Sequence, residues 1–257
     1  MLKQNSRRHS ILTLLAVISV GQLWADPVKV GELYYELDQN TKTATVALHN
    51  DYKSLTTLAV PGSVTVENVS YTVTAIAQQA FQECTSIKDV TFAAGVEDIG
   101  PWAFYGSSGI EDISLPTTLA SVQNSVFSGC NSITKLTLPD NLTEIGNYGF
   151  SDLASLTTLT LPTKMTTLGN NAFANCPMLS EINFNTGITT IGENAFYGWG
   201  ATTLSLPEGI TTLSNGAFIQ SKKLTTVTLP ETITDLGDNI FYECSSPALS
   251  GPTVRFL

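Results

Sequence analysis

Four cysteines are the side chains in this 257-residue chain best suited to redox, metal or nucleophilic chemistry. Cys84, Cys130, Cys176 and Cys244 each lie three residues after a Phe (Phe81, Phe127, Phe173, Phe241), which makes them one column of a repeat. An even cysteine count in an exported chain usually means disulfides. Here the closest pairs are two repeats apart, about 9.6 Å at ~4.8 Å per repeat, beyond the ~7 Å that a disulfide tolerates between Cα atoms. The expectation is four reduced, buried thiols, with no two able to share a tetrahedral zinc ion. His49, beside Asn50 and Asp51, is the one histidine outside the first 25 residues and reads as a loop residue rather than a base. Acidic residues are scattered over different columns, so no carboxylate pair for glycoside chemistry emerges. Neither a nucleophile elbow, a phosphate loop, a zinc-protease helix nor a calcium nonapeptide is present. No catalytic, cofactor-binding or metal-binding residues and no cofactor are expected, and the chain is not expected to be an enzyme.

The residues that could act are instead those that could be presented. An outward column reads Thr91, Ser114, Thr137, Thr160, Asn183, Ser205 and Thr228, and beside it run Asp89, Asp112, Lys135, Thr158, Glu181, Thr203 and Thr226. Rigid neighbouring strands would hold these in a fixed array, making Asp112, Ser114, Lys135, Thr137, Thr158, Thr160, Glu181, Asn183, Thr203 and Ser205 the candidate partner-binding set. The competing reading is β propensity and solubility alone. Trp102 and Tyr148, two residues before their Phe, could be interface anchors; half-buried packing is the favoured reading for both.

These columns exist because the chain repeats. Phe recurs at 81, 104, 127, 150, 173, 196, 218 and 241, every 23 residues except for one interval of 22. An aliphatic-x-aliphatic triplet marks a short strand in each unit, as in Leu136-Thr-Leu138 and Leu159-Thr-Leu161, with two side chains inward. Two further apolar columns follow, represented by Leu142 and Ile145, and then usually a Gly: Gly100, Gly146, Gly169, Gly192 and Gly237. That Gly is expected to supply a positive-φ turn. Small residues before the Phe (Ala80, Ala103, Gly149, Ala172, Ala195, Ala217) would let a short helical turn lie close to its neighbour. One unit buries too little apolar surface to offset the ordering of its own backbone, so stacking is compulsory. In the short interval Gly198-Trp199-Gly200-Ala201 tightens the turn, and Trp199 is expected to plug the volume left where Ala201 replaces a Leu.

Residues 26–75 do not follow the repeat. Tyr34–Leu37 and Thr43–Leu48 read as a hairpin, and Val64–Val66 and Tyr71–Val73 as a second, together an amino-terminal β cap before a solenoid over 76–257. Thr253–Leu257 is expected to form a last strand. Residues 1–25 read as a secretory signal: Lys3, Arg7 and Arg8, an apolar Ile11–Val20, and Leu23-Trp24-Ala25 before cleavage. The apolar stretch is shorter than the ~20 residues a membrane span needs. The net charge of −10 becomes more negative once this basic segment is removed, which argues against a nucleic-acid partner.

The unit from Ile133 to Phe150, with Cys three residues beyond Phe in several repeats, resembles the BspA-type leucine-rich repeat family, and the likeness covers residues 76 to 244. The resemblance implies a β-rich α/β solenoid of short parallel strands and short helical turns. It also implies a secreted or cell-surface protein of host-associated bacteria that acts in adhesion or protein binding. A carboxy-terminal anchor region is the part of the family pattern not seen. The function expected is binding of a host or neighbouring-cell surface protein through the strand face, without membrane insertion after signal cleavage. A second reading is an envelope scaffold, and a third is carbohydrate binding, for which Trp and Tyr stand at uneven positions.

Overall fold

The computed structural model describes residues 26–245 and the backbone of 248–250. The signal segment 1–25 and the strand expected at Thr253–Leu257 lie outside the described residues. Strands β1 (Val28–Val30), β2 (Leu33–Asp38) and β3 (Thr43–Val46) form an antiparallel meander. Asp38 closes the β2–β3 turn, its Oδ1 accepting from the Asn40 and Thr41 amides. A 3-10 turn over Asn50–Ser54 leads to β4 (Thr57–Val60), β5 (Ser63–Val66) and β6 (Val69–Ile76), with β5 and β6 forming the second hairpin.

Each later turn of the solenoid contributes two strands. The triplets form β7 (Asp89–Phe92), β9 (Asp112–Ser114), β11 (Lys135–Thr137), β13 (Thr158–Thr160), β15 (Glu181–Asn183), β17 (Thr203–Ser205), β19 (Thr226–Thr228) and β21 (Ala248–Ser250). Two-residue strands alternate with them: β8 (Asp98–Ile99), β10 (Ser121–Val122), β12 (Glu144–Ile145), β14 (Thr167–Leu168), β16 (Thr190–Ile191), β18 (Thr212–Leu213) and β20 (Asp235–Leu236). Where they pair, they do so in parallel, one turn to the next. Both columns start before residue 76, because β4 pairs with β7 and β6 pairs with β8, also in parallel.

The core is a file of aromatic rings. Tyr52 stacks on Phe81 at 4.8 Å, and Phe81, Phe104, Phe127, Phe150, Phe173, Phe196, Phe218 and Phe241 continue at 5.2–5.8 Å between centroids. Trp199 fills the short turn as expected: it is buried and tilted against both Phe196 and Phe218, at 5.6 and 5.9 Å.

Two local expectations need correction. No α-helix occurs among the described residues; the Phe-bearing segments are successive turns. Their amides at Gln79, Phe81 and Glu83 reach the carbonyls of Pro101, Ala103 and Tyr105 in the next turn, while the alternate amides at Ala80, Gln82 and Cys84 close three-residue turns on Ala77, Gln79 and Phe81, so the segment never builds an α-helical ladder. The positive φ lies two residues either side of the Phe, not at the Gly that recurs after the third apolar column. Gln79, Trp102, Ser125, Tyr148, Asn171, Asn194, Gly216 and Asn239 have φ of 53–62°, and the column from Glu83 to Glu243 behaves likewise. Gly169 and Gly192 are instead required by close approach: a Cβ on Gly192 would stand 2.6 Å from the Gly169 carbonyl carbon and 2.7 Å from the Asn170 nitrogen. Gly192→Ala is therefore expected to cost about 1–3 kcal/mol or more through overpacking. Asn194→Gly, at φ 53°, is expected to be near neutral. Urea midpoints of the two variants check the contrast.

Beside that ridge runs an amide ladder. The Oδ1 atoms of Asn124, Asn147 and Asn170 accept from the backbone amides of Asn147, Asn170 and Glu193 at 2.8–2.9 Å, and Asn215 does the same for Asp238. Each bond satisfies a donor that the tight turn would otherwise leave open.

Candidate functional site

The strand face holds all ten candidate residues at exposed positions, each flanking a buried Ile or Leu apart from the half-buried Ile182. Period-2 alternation does this: one inward side chain per triplet pins the strand, and its two neighbours must face out. Register brings the candidates together in pairs. Lys135 stands beside Asp112, Thr137 beside Ser114, Thr158 beside Glu181 and Thr160 beside Asn183. Asn183 Nδ2 donates to Thr160 Oγ1 at 3.3 Å, and Thr134 Oγ1 donates to Asp112 Oδ1 at 3.2 Å.

The hydrogen-bonded sheet beneath this face is interrupted. Continuous pairing runs β4–β7–β9–β11, then β13–β15, then β17–β19–β21, whereas the two-residue strands from β10 to β20 pair without a break. The candidate array is thus three adjoining panels rather than one sheet.

The cysteine column has a different use. Cys130, Cys176 and Cys244 donate through Sγ to the carbonyls of Phe104, Phe150 and Phe218 at 3.1–3.5 Å. Ser107 and Ser221 stand in the same column and donate through Oγ to Phe81 O and Phe196 O. All four thiols are free. Cys84, Cys130 and Cys176 are buried, but Cys244, on the last Phe-bearing turn among the described residues, is only half-buried. Burial pushes the Cys130 and Cys176 thiols up to about 12 and raises Cys84 and Cys244 as well. Thiols so held are poor nucleophiles at neutral pH.

His49 is also accounted for by structure. Its Nδ1 accepts from the Asp51 amide at 3.2 Å, and its ring stacks on Tyr34 at 3.5 Å. Tyr34 in turn donates to Asp51 Oδ2 at 2.6 Å, and that contact holds the Asp51 carboxyl below its usual range. No group of His, Cys, Asp and Glu among the described residues is arranged to hold a metal ion.

A second surface follows the turns. Trp102 and Tyr148 are 38% and 47% exposed, not half-buried packing residues, because the positive-φ ridge that carries them runs along the outside of the solenoid. Tyr105 and Tyr242, one residue after their Phe, are exposed on the same side. The strand face carries no exposed aromatic side chain among the described residues.

A stack of turns of about 23 residues, each with an outward triplet strand and a shared aromatic core, is a leucine-rich repeat solenoid. The chain belongs to the BspA type leucine rich repeat family, whose pattern matches six copies over residues 61–180 and 143–250. Among solved structures it is similar to a leucine-rich repeat protein from Bacteroides ovatus, at 25% identity and a TM-score of 0.78, over 84% of this chain and 57% of that one. This chain therefore spans little more than half of that relative. It also shares its fold with the leucine-rich repeat protein of T. pallidum, at 19% identity and a TM-score of 0.56, over 86% of this chain and 91% of that one. No curated protein matches the sequence.

Proposed function

We propose that this chain is an exported, non-enzymatic binding protein that engages a surface protein of a host or neighbouring cell through its strand face. The observation that carries the reading is the array itself. Ten exposed polar and charged side chains sit on strands whose inward residues fix them, and a partner would meet them with little ordering cost. Family membership supports protein interaction as the general role. The apolar Ile11–Val20 behind Lys3, Arg7 and Arg8 supports export to the envelope surface or beyond.

The test is binding of the full chain, as processed by its host, to extracellular-matrix and plasma proteins, alongside a triple variant Thr137→Lys, Thr160→Lys and Asn183→Lys. Saturable binding weakened more than about tenfold in the variant, or about 1.4 kcal/mol, is the expected result. Absence of any protein partner for a folded chain would overturn it and favour the envelope-scaffold reading, which the aromatic-free strand face also suits.

A further inference from the structure

We propose that the turn side of the solenoid carries a saccharide-binding trough, separate from the strand face, selective for uncharged pyranosides. The trough is an open depression of about 420 Å³ across three consecutive turns. Tyr148, 47% exposed, stands at one end. Tyr197 stands two turns further on, roughly 10 Å away at the spacing of paired strands, and its hydroxyl donates to Gln220 Oε1 at 2.5 Å, which steadies the ring. The floor is small, Ser151 and Ala174, so the side chains around it stand proud.

Between the two tyrosines the positive-φ ridge presents Asn171 and Asn194, one turn apart. Both residues are half-buried and their side-chain amides make no hydrogen bond among the described residues, unlike the ladder amides of Asn147 and Asn170, which stand one residue before the ridge positions Tyr148 and Asn171. Each free amide offers a donor and an acceptor in one plane, the arrangement that matches a pair of neighbouring hydroxyls. The opposite wall holds Asp152 and Asn175, already joined by an Nδ2–Oδ1 bond of 3.0 Å. Tyrosine rings supply apolar faces for the C–H face of a sugar while keeping a polar tip. No Lys or Arg lines the trough, and Asp152 adds negative charge, so sialic acid, uronate or sulfate groups find no counter-ion there.

The left-handed backbone makes a clean test available. Gly216 already occupies the ridge column at φ 62°, so Asn171→Gly and Asn194→Gly remove the amides without straining the chain. The full chain would be titrated calorimetrically with cellotetraose, chitotriose, mannotriose and lactose, and with sialyllactose as the charged arm. Saturable binding of at least one neutral sugar, lost by about tenfold or more in the double variant with unchanged thermal melting, is the expected result. Thr137→Lys on the strand face should leave it intact. No binding of any neutral sugar, binding that survives the double variant, or preferential binding of sialyllactose would each overturn the proposal. A sugar site that fails while protein capture persists would leave the strand-face reading untouched.

Discussion

Phe150→Ala is expected to destabilise the protein by about 3–5 kcal/mol and to split its urea unfolding into two transitions. Phe150 is fully buried and stacks on Phe127 at 5.3 Å and on Phe173 at 5.6 Å, with its ring within 11° of both. In a solenoid each turn touches only its neighbours, so cooperativity passes through such interfaces and nowhere else. Deleting one ring weakens two consecutive interfaces at once and leaves a void in a file that other side chains cannot cross to fill. The amino-terminal part retains the β1–β3 meander, Tyr52 and three stacked ring contacts up to Phe127, and is expected to melt last. Tyr105→Ala, exposed on the turn side, serves as the control and is expected to fall within about 0.5 kcal/mol of the parent. A single transition shifted by less than about 1 kcal/mol in Phe150→Ala would show that coupling between turns runs through the strand ladders instead.

The parts of this fold that are legible in sequence are those whose spacing repeats and whose residue type carries a meaning. A Phe every 23 residues, a triplet of alternating polarity and a thiol three residues after the Phe all satisfy that condition, and three of the four thiols are buried as expected while Cys244 is half-buried. Tyr52 is in the same aromatic file but stands 29 residues before Phe81, so periodicity alone passes over it. The second strand of each turn is two residues long, too short for alternation to register. The left-handed positions are occupied by Gln, Trp, Ser, Tyr, Asn, Asp and Glu as well as Gly, types that do not as a group announce positive φ. The Gly columns are conspicuous but act through absence of a side chain, not through φ, and one sequence cannot separate those two reasons. For the same cause the strand face was visible as a column of Thr and Ser, while the turn-side trough was not: its residues come from three different columns and converge only when the turns close. The amide ladder is the signal that could have pointed there, since Asn124, Asn147, Asn170 and Asn215 share one place in the repeat beside the ridge.

Alkaline pH is expected to remove about 5 kcal/mol of stability by pH 11 through two thiols alone. Cys130 and Cys176 hold their protons up to about 12 in the folded state, against an ordinary thiol value of 9.0, because burial penalises the thiolate. Below pH 9 both folded and unfolded chains keep these protons and the groups are silent. Above it the unfolded chain loses them while the folded chain does not, so stability falls by about 1.4 kcal/mol per thiol per pH unit until the folded value is reached. Tyr35, raised to about 12 by burial, and Tyr52, raised further for the same reason, add their own loss only above pH 10. Replacing all four cysteines by Ser separates the two contributions. Ser107 and Ser221 show that a hydroxyl fits this column and still donates to the Phe carbonyl of the preceding turn. Urea unfolding from pH 7 to 11 should therefore show the onset of the loss moving from about pH 9 in the parent to about pH 10 in the Ser variant. An unmoved onset would mean that the buried thiols ionise within the folded chain, and that the column is open to solvent on the timescale of unfolding.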